Sequence, residues 1–227
     1  MTRRICCSVL LLASGLLTLA SCGGGGGGSG GSTARSARTG VRLLHGVLDI
    51  APIELVDGSG AVKQVVKFAD APLYIDSATG PQNFEVLARE RGPLFFSPIE
   101  VERNRHYTIL TYGNLSSLGI GSAIFEDAAA DQPLESGTAN LRILHSLVGA
   151  ASVEVSLGSG NIAPTSFGRA SDYLSLPAGP VSAAILRSAD QRVLATLSLI
   201  LEEGRAYSIF LTGDLNYLTV ARLLTDN

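Results

Sequence analysis

Apolar and polar residues alternate along much of this chain, the pattern that predicts half-buried β-strands. The alternation is clearest from Val153 to Leu157, where every second residue is apolar and a Gly158-Ser159-Gly160 turn follows. Two further apolar runs, at 194–201 and 206–211, predict neighbouring strands joined at 202–205. Turn residues recur at roughly the 8–12-residue spacing of strands in an antiparallel sandwich. Beyond the N-terminal segment the sequence lacks the period and end signals of helices, so we expect an all-β fold.

The second half of the chain repeats the first. Residues 41–60 align with 141–160, and the match returns further along. Positions shared by the copies include Arg42/Arg142, His45/His145, Tyr107/Tyr207 and, with a one-residue slip, Tyr74/Tyr173. Each unit is large enough to be a domain, so we interpret the repeat as duplication of a whole domain. The copies span 41–127 and 141–227, with a linker at 128–140.

A turn in each copy resembles the tyrosine corner of Greek-key sandwiches, in which a tyrosine hydroxyl bonds to nearby upstream backbone. Gly204 lies three residues before Tyr207, and Asn104 lies three residues before Tyr107. Glycine and asparagine are the residues that best tolerate a left-handed backbone. We therefore predict a corner in each copy. The alternative is that both tyrosines are simply aromatic residues of the core.

The N-terminal segment has the features of an export signal. Arg3 and Arg4 precede an apolar run at 9–19, which is too short to span a bilayer as a helix. The run ends in Leu19-Ala20-Ser21-Cys22, which resembles the bacterial lipobox. That resemblance implies a signal peptide at 1–21, and diacylglycerol and palmitate on Cys22. The alternative is an ordinary signal peptide cleaved nearby.

Residues 22–40 are rich in glycine and serine and predict a flexible tether between the lipid and the folded body. By the rule for such lipoproteins, Gly23 after the cysteine implies sorting to the outer membrane, on its periplasmic or surface face. The protein would then contact the membrane through its lipid anchor.

Composition narrows the classes of partner. The formal net charge is −3, which gives no attraction for phosphate backbones, so we do not expect nucleic acid as a partner. The three cysteines, Cys6, Cys7 and Cys22, all precede the repeats. The two domains must therefore be stable without disulfides, and the hydrophobic fraction of 46% is enough to build their cores.

At these residues the chain resembles the bacterial and archaeal family catalogued as domain of unknown function 4397. Copies in that family open with a strand of the form Val-Arg-Val-Val-His and a following acidic, proline-containing turn. The counterparts here are Val41 to His45, Asp49, Pro52, Leu141 to His145, Tyr173-Leu174, Pro177-Ala178-Gly179, and Gly204 with Tyr207. The resemblance covers 41–227 and implies two tandem immunoglobulin- or transthyretin-like antiparallel β-sandwiches in an exported protein. It implies no activity.

His45 and His145 are the obvious candidates for chemistry, since they occupy the same place in both copies. A metal site needs three or four converging ligands, and no other histidine or cysteine lies near either one in the sequence. We therefore predict that each imidazole donates a structural hydrogen bond to a loop carbonyl, with catalytic or ligand duty as the alternative. We expect no cofactor and no bound metal.

Catalytic motifs are also lacking. The Gly-x-Ser-x-Gly match at 27–31 falls in the tether, where no strand-to-helix turn can hold a nucleophile. Sugar-binding sandwiches stack ligands on exposed aromatics, yet this chain has no Trp and six Tyr. We therefore expect no enzyme, but a cell-envelope lipoprotein acting as a non-catalytic binding or structural module for another envelope or surface protein. The alternatives are an envelope hydrolase with a nonstandard site and a carbohydrate-binding module.

Overall fold

The structure is a computed structural model, and it describes residues 39–128 and 134–227. The predicted signal peptide, Cys22 and nearly all of the predicted tether lie outside the described residues. Within the described residues, no helix is long and apolar enough to cross a membrane.

Both repeats consist of short strands. Residues 39–128 contain β1 (Gly40–Val47), β2 (Ile53–Asp57), β3 (Val62–Val66), β4 (Ile75–Asp76), β5 (Gly80–Ala88), β6 (Gly92–Val101), β7 (His106–Asn114) and β8 (Gly119–Glu126). Residues 134–227 contain β9 (Thr138–Val148), β10 (Ser152–Leu157), β11 (Gly160–Ser166), β12 (Arg169–Ala170), β13 (Leu174–Pro177), β14 (Gly179–Arg187), β15 (Arg192–Leu201), β16 (Ala206–Asp214) and β17 (Leu218–Thr225).

Each repeat folds into a sandwich of two sheets. In the first sandwich the sheet β4-β1-β7-β8 packs on the sheet β3-β2-β5-β6. In the second, β12-β9-β16-β17, with β13 also paired to β9, packs on β11-β10-β14-β15. The all-β sandwich fold predicted from the sequence is confirmed. The Gly58-Ser59-Gly60 and Gly158-Ser159-Gly160 segments lie in the hairpins β2–β3 and β10–β11.

Two details of strand pairing differ from the sequence prediction. The first strand of each sandwich pairs in parallel with the strand after the corner, β1 with β7 and β9 with β16, whereas the other pairs of the described residues are antiparallel. The predicted neighbours at 194–201 and 206–211 correspond to β15 and β16, which lie in different sheets. Their alternation marks them as strands, but the turn at 202–205 carries the chain across to the opposite sheet.

Each sandwich has its own apolar core, built from the alternate residues that its two sheets turn toward each other. In the first sandwich Val41, Leu43 and Ile109 face Leu55 and Val86. In the second sandwich the corresponding residues are Leu141, Ile143, Ile209, Val155 and Ile185. All of these side chains are fully buried, and full burial of one such side chain stabilises the fold by roughly 1.5–3 kcal/mol.

A third apolar layer joins the two sandwiches. Leu44 and Leu110 lie on the face of β1 and β7 that points away from the first core. They pack against Leu144, Phe210 and Leu224 of the second sandwich. The strands β1, β7, β9 and β16 are therefore buried on both faces, which explains their nearly continuous apolar sequences. We call the two sheets that contain β1 and β9 the inner sheets, and the two that contain β2 and β10 the outer sheets. The four layers follow the order outer, inner, inner, outer.

Gly46 lies where the two inner sheets approach each other closely. A Cβ atom at this position would lie 2.6 Å from the Ser146 hydroxyl oxygen and 2.6 Å from the Thr111 carbonyl oxygen. Only glycine leaves room for that contact, since real Cβ atoms do not approach other heavy atoms so closely.

The second sandwich begins at Thr138, inside the predicted linker 128–140. Ala139 is fully buried in the second core, and β13 pairs with Thr138 to Leu141 of β9. The connection between the sandwiches is therefore shorter than the repeat alignment suggested.

Candidate functional site

A cluster of charged side chains lies between the two sandwiches. Because side chains alternate along a strand, β1 turns Val41 and Leu43 into the first core and Arg42 toward the second sandwich. Arg42 is only 2% exposed. Its Nε donates to the Thr108 hydroxyl at 2.9 Å, and its Nη2 donates to Asp226 Oδ1 at 2.5 Å.

The second repeat makes the same contacts in the opposite direction. Arg142 Nε donates to the Ser208 hydroxyl at 2.8 Å, and Arg142 Nη2 donates to Asp127 Oδ1 of the first sandwich. Each arginine also bonds the carbonyl oxygen one residue before its aspartate, Thr225 for Arg42 and Glu126 for Arg142. The contact thus has the isologous pattern of a two-fold dimer, formed here within one chain.

Two tyrosines complete the cluster. The Tyr74 hydroxyl donates to Asp127 Oδ2 at 2.6 Å, and the Tyr173 hydroxyl donates to Asp226 Oδ2 at 2.7 Å. The guanidinium carbon of Arg42 lies 4.4 Å from the centre of the Tyr74 ring, and that of Arg142 lies 4.5 Å from the Tyr173 ring. Each arginine therefore gains a cation–π contact in addition to its hydrogen bonds. Burial raises the pKa of both hydroxyls above the ordinary value of 10.0, which keeps them protonated as donors.

The charges of the cluster balance, with two guanidiniums and two carboxylates. Burial raises the pKa of the Asp127 carboxyl, while Arg42 and Arg142 act in the opposite direction. Removing one partner of such a buried pair typically costs about 3–5 kcal/mol, because it strands the other charge away from water. The loss of any one of the four charged groups would therefore weaken the contact between the two sandwiches.

His45 and His145 are fully buried in their own sandwiches. Nε2 of His45 donates to the Ala51 carbonyl at 3.3 Å, and Nε2 of His145 donates to the Ala150 carbonyl at 3.0 Å. In each ring Nδ1 accepts from the backbone N–H two residues further on, at Val47 and Leu147. These contacts assign the neutral Nε2–H tautomer and occupy both ring nitrogens.

The electrostatics of the two rings agree with that tautomer. Burial lowers the pKa of His45, and it lowers the pKa of His145 to about 4. Asp49, the acidic residue nearest His45 in sequence, instead accepts backbone N–H bonds from Leu115 and Ser116. Neither imidazole is therefore placed as a general base.

Tyr107 and Tyr207 form the predicted type of contact with upstream backbone. The Glu102 N–H donates to the Tyr107 hydroxyl at 3.2 Å, and the Glu202 N–H donates to the Tyr207 hydroxyl at 3.1 Å.

The turns themselves adopt left-handed backbone, with φ of 61° at Asn104 and 72° at Gly204. Both residue types suit that conformation.

Other places for chemistry are few in the described part of the chain. Within 39–128 and 134–227, no group of three or more His, Cys, Asp or Glu side chains is arranged to hold a metal ion. An open groove of about 430 Å³ lies in the second sandwich between β11 and residues 169–174, with Arg169 and Asp172 among its lining residues. The Tyr173 hydroxyl, next to this groove, is bonded to Asp226 and so belongs to the buried cluster.

The sequence alignment placed Arg42 with Arg142 and Tyr74 with Tyr173, but it did not bring them together with Asp127 and Asp226. The signal was present: an arginine inside an apolar strand must find an anion if the strand is buried on both faces. Each copy also carries an aspartate near its end, Asp127 or Asp226, at positions related by the same one-residue slip as the tyrosines.

The fold and the cluster together define a tandem all-β module whose buried ionic side chains join its two sandwiches. The sequence profile of DUF4397, a domain of unknown function, matches residues 39–156 and again 139–227. The chain therefore belongs to the DUF4397 family, with the two copies in tandem. Among curated proteins, none matches the sequence.

Among solved structures, one match is the crystal structure of a "putative cell adhesion protein" from Bacteroides ovatus. The alignment has 9% sequence identity and a TM-score of 0.26, and it covers 84% of this chain and 98% of that one.

Proposed function

We propose that this protein is an exported, lipid-anchored and non-catalytic binding module of the cell envelope, and that its partner is another envelope or surface protein. In this proposal the two sandwiches act as one rigid body. The inner sheets hold the body together, and the outer sheets meet the partner.

The observation that carries the proposal is the reciprocal pairing of Arg42 with Asp226 and of Arg142 with Asp127. A catalytic group must reach a substrate, yet these four side chains are at most 3% exposed. Their geometry instead fixes the position of one sandwich relative to the other. A fixed relative position suits a scaffold that presents a preformed surface, because little conformational entropy is lost on binding.

The outer sheet of the first sandwich offers a more suitable surface for binding a protein partner than the outer sheet of the second. The register across β3, β2, β5 and β6 places Val62, Val56, Glu85 and Phe96 in one row. Phe96 is 75% exposed, and Val62 and Val65 are also exposed large apolar residues. An exposed aromatic side chain within an apolar patch is the usual anchor of a protein–protein contact.

The equivalent row of the second sandwich lacks an exposed aromatic anchor. The equivalent row across β11, β10, β14 and β15 consists of Asn161, Ser156, Ala184 and Thr196. The two copies share the same sandwich fold and make the same contacts between the inner sheets, but the exposed faces of their outer sheets differ. We therefore assign partner binding to the outer sheet of the first sandwich.

Attachment to the membrane is the part of the proposal that rests on the sequence. Cys22 follows a lipobox-like segment, and the glycine-rich residues after it would let the folded body reach away from the lipid surface. The proposed location is the outer membrane.

Site-specific photo-crosslinking in intact cells tests the proposal. A photoreactive phenylalanine analogue is placed at Phe96 or at Val62, and at Asn161 as the matched control on the other sandwich. We expect discrete crosslinks to an envelope or surface protein from the first two positions and weak or no crosslinks from Asn161. Equal labelling from all three positions, or none from Phe96 and Val62, would contradict the assignment.

A further inference from the structure

The strands β6 and β15 occupy equivalent places in the two sandwiches. Each is ten residues long and lies at the edge of an outer sheet, where in the described residues it pairs with one strand, β5 or β14. An edge strand of this length presents a row of unpaired backbone N–H and C=O groups, which can pair with another strand unless the edge is protected.

The edge of β6 carries the usual protective residues. Pro93 and Pro98 lie within the strand, and Glu100 lies on its exposed face. Proline is tolerated in an edge strand where the missing N–H would have pointed away from the sheet. The backbone at Pro98 therefore faces the open side of β6, away from β5.

The edge of β15 has lost each of these protections. Ser198 and Ile200 stand where β6 has Pro98 and Glu100, and residues 193–201 contain no proline, glycine or charge. By equivalence with Pro98, the N–H of Ser198 points out of the open edge and is free to donate. Ile200 is 75% exposed, and Val193 is also exposed.

The exposed face of β15 matches itself when two copies of the strand pair antiparallel about Leu197. In that register Thr196 of one copy stands opposite Ser198 of the other. A bulge at Leu194 shifts the strand by one residue, so the exposed Ile200 of one copy meets the exposed Val193 of the other. Hydroxyl pairs and apolar pairs directly across an antiparallel ladder are favourable.

We propose that β15 pairs antiparallel with β15 of a second copy of this chain, on a two-fold axis at Leu197, and so joins two outer sheets into one continuous sheet of eight strands. The occupant is a second copy because the strand is complementary to itself in its exposed side chains as well as in its backbone. Other long edges are less suited: β8 contains Gly119 and Gly121, β11 contains Pro164, and β17 contains Arg222.

The first test is the mass of the full chain in detergent, measured by sedimentation velocity at increasing protein concentration. We expect a reversible dimer. Ser198→Pro, which copies Pro98 of β6, should raise the dimer dissociation constant at least tenfold while leaving the melting temperature nearly unchanged. Ile200→Glu, which copies Glu100, should act in the same direction and serves if the proline variant is unstable.

A charge pair at the two meeting positions tests the proposed register. Ile200→Glu alone and Val193→Arg alone should each weaken the dimer, since each sets a charge against an apolar side chain. The double variant should restore dimerisation toward the level of the original chain, because opposite charges then meet across the ladder. A chain that stays monomeric at all concentrations, a dimer that Ser198→Pro and Ile200→Glu leave intact, or a double variant without recovery would overturn the proposal.

Discussion

The guanidinium of Arg42 donates a 2.5 Å hydrogen bond to the carboxylate of Asp226, although the two residues are 184 positions apart. Arg142 makes the reciprocal contact with Asp127. The duplicated domain therefore uses the same buried side chains twice, each time across the boundary between the copies. The two sandwiches have separate cores, but neither can leave the other without exposing an apolar layer and breaking two buried ion pairs.

Asp226→Asn should destabilise the protein strongly. The substitution keeps the size of the side chain but leaves Arg42 without its charged partner, and we expect a loss of about 3–5 kcal/mol in the free energy of unfolding. Urea denaturation measures this loss. The matched control is Asp190→Asn, which removes an exposed partner of Arg187 and should change stability very little, because solvent screens that pair. Equal effects at the two positions would refute the structural role of the cluster.

Stability should fall as the pH decreases from 6.5 to 4. Burial holds the pKa of His145 at about 4, below the ordinary 6.5, so the unfolded chain takes up this proton first. The stabilisation by the neutral ring is therefore complete above pH 6.5 and is lost between 6.5 and 4, to an extent of at most about 3 kcal/mol. The pKa of His45 is lowered by burial as well and acts in the same direction.

Denaturant unfolding at several pH values checks this effect. His145→Asn should have a shallower dependence of the unfolding free energy on pH than the original chain over this range. An identical slope in the two proteins would show that His145 takes up its proton equally in the folded and unfolded states.

Tyr207→Phe should lower the free energy of unfolding by about 1–1.5 kcal/mol, because the Glu202 N–H loses its acceptor. Tyr217→Phe is the control, since Tyr217 is 90% exposed and should have almost no effect. Thermal unfolding of both variants compares them directly. The corner would have no energetic role if both changes proved negligible.

Cys22→Ser should release the protein from the membrane fraction. The lipobox-like segment implies that the lipid is attached to this thiol, and serine cannot carry the thioether. Cell fractionation with intact-mass analysis checks both parts: the original chain should begin at Cys22 and carry acyl mass. Recovery of the serine variant with membranes at the original level would rule out the anchor.

The alternation of apolar and polar residues was enough to predict individual strands of the outer sheets. Val153 to Leu157 has one buried and one less buried face, and its sequence records that difference. Structural hydrogen bonds of His45 and His145 to nearby backbone were also predicted from the sequence, because each histidine lies in an apolar strand with no other histidine or cysteine close to it. These features depend on neighbours close along the chain.

The contact between the two inner sheets could not be predicted in the same way. β1 and β9 are buried on both faces, so their apolar sequences do not distinguish the face toward their own core from the face toward the other copy. The pairing of Arg42 with Asp226 also joins the beginning of one copy to the end of the other, and no local pattern encodes such a distance. Likewise, the turn at 202–205 does not encode which sheet the next strand enters.

Differential scanning calorimetry of the full chain most directly tests whether the two sandwiches form one cooperative body. The shared layer and the reciprocal ion pairs predict a single transition whose calorimetric enthalpy equals its van't Hoff enthalpy. Two resolved transitions, one for each sandwich, would contradict the account.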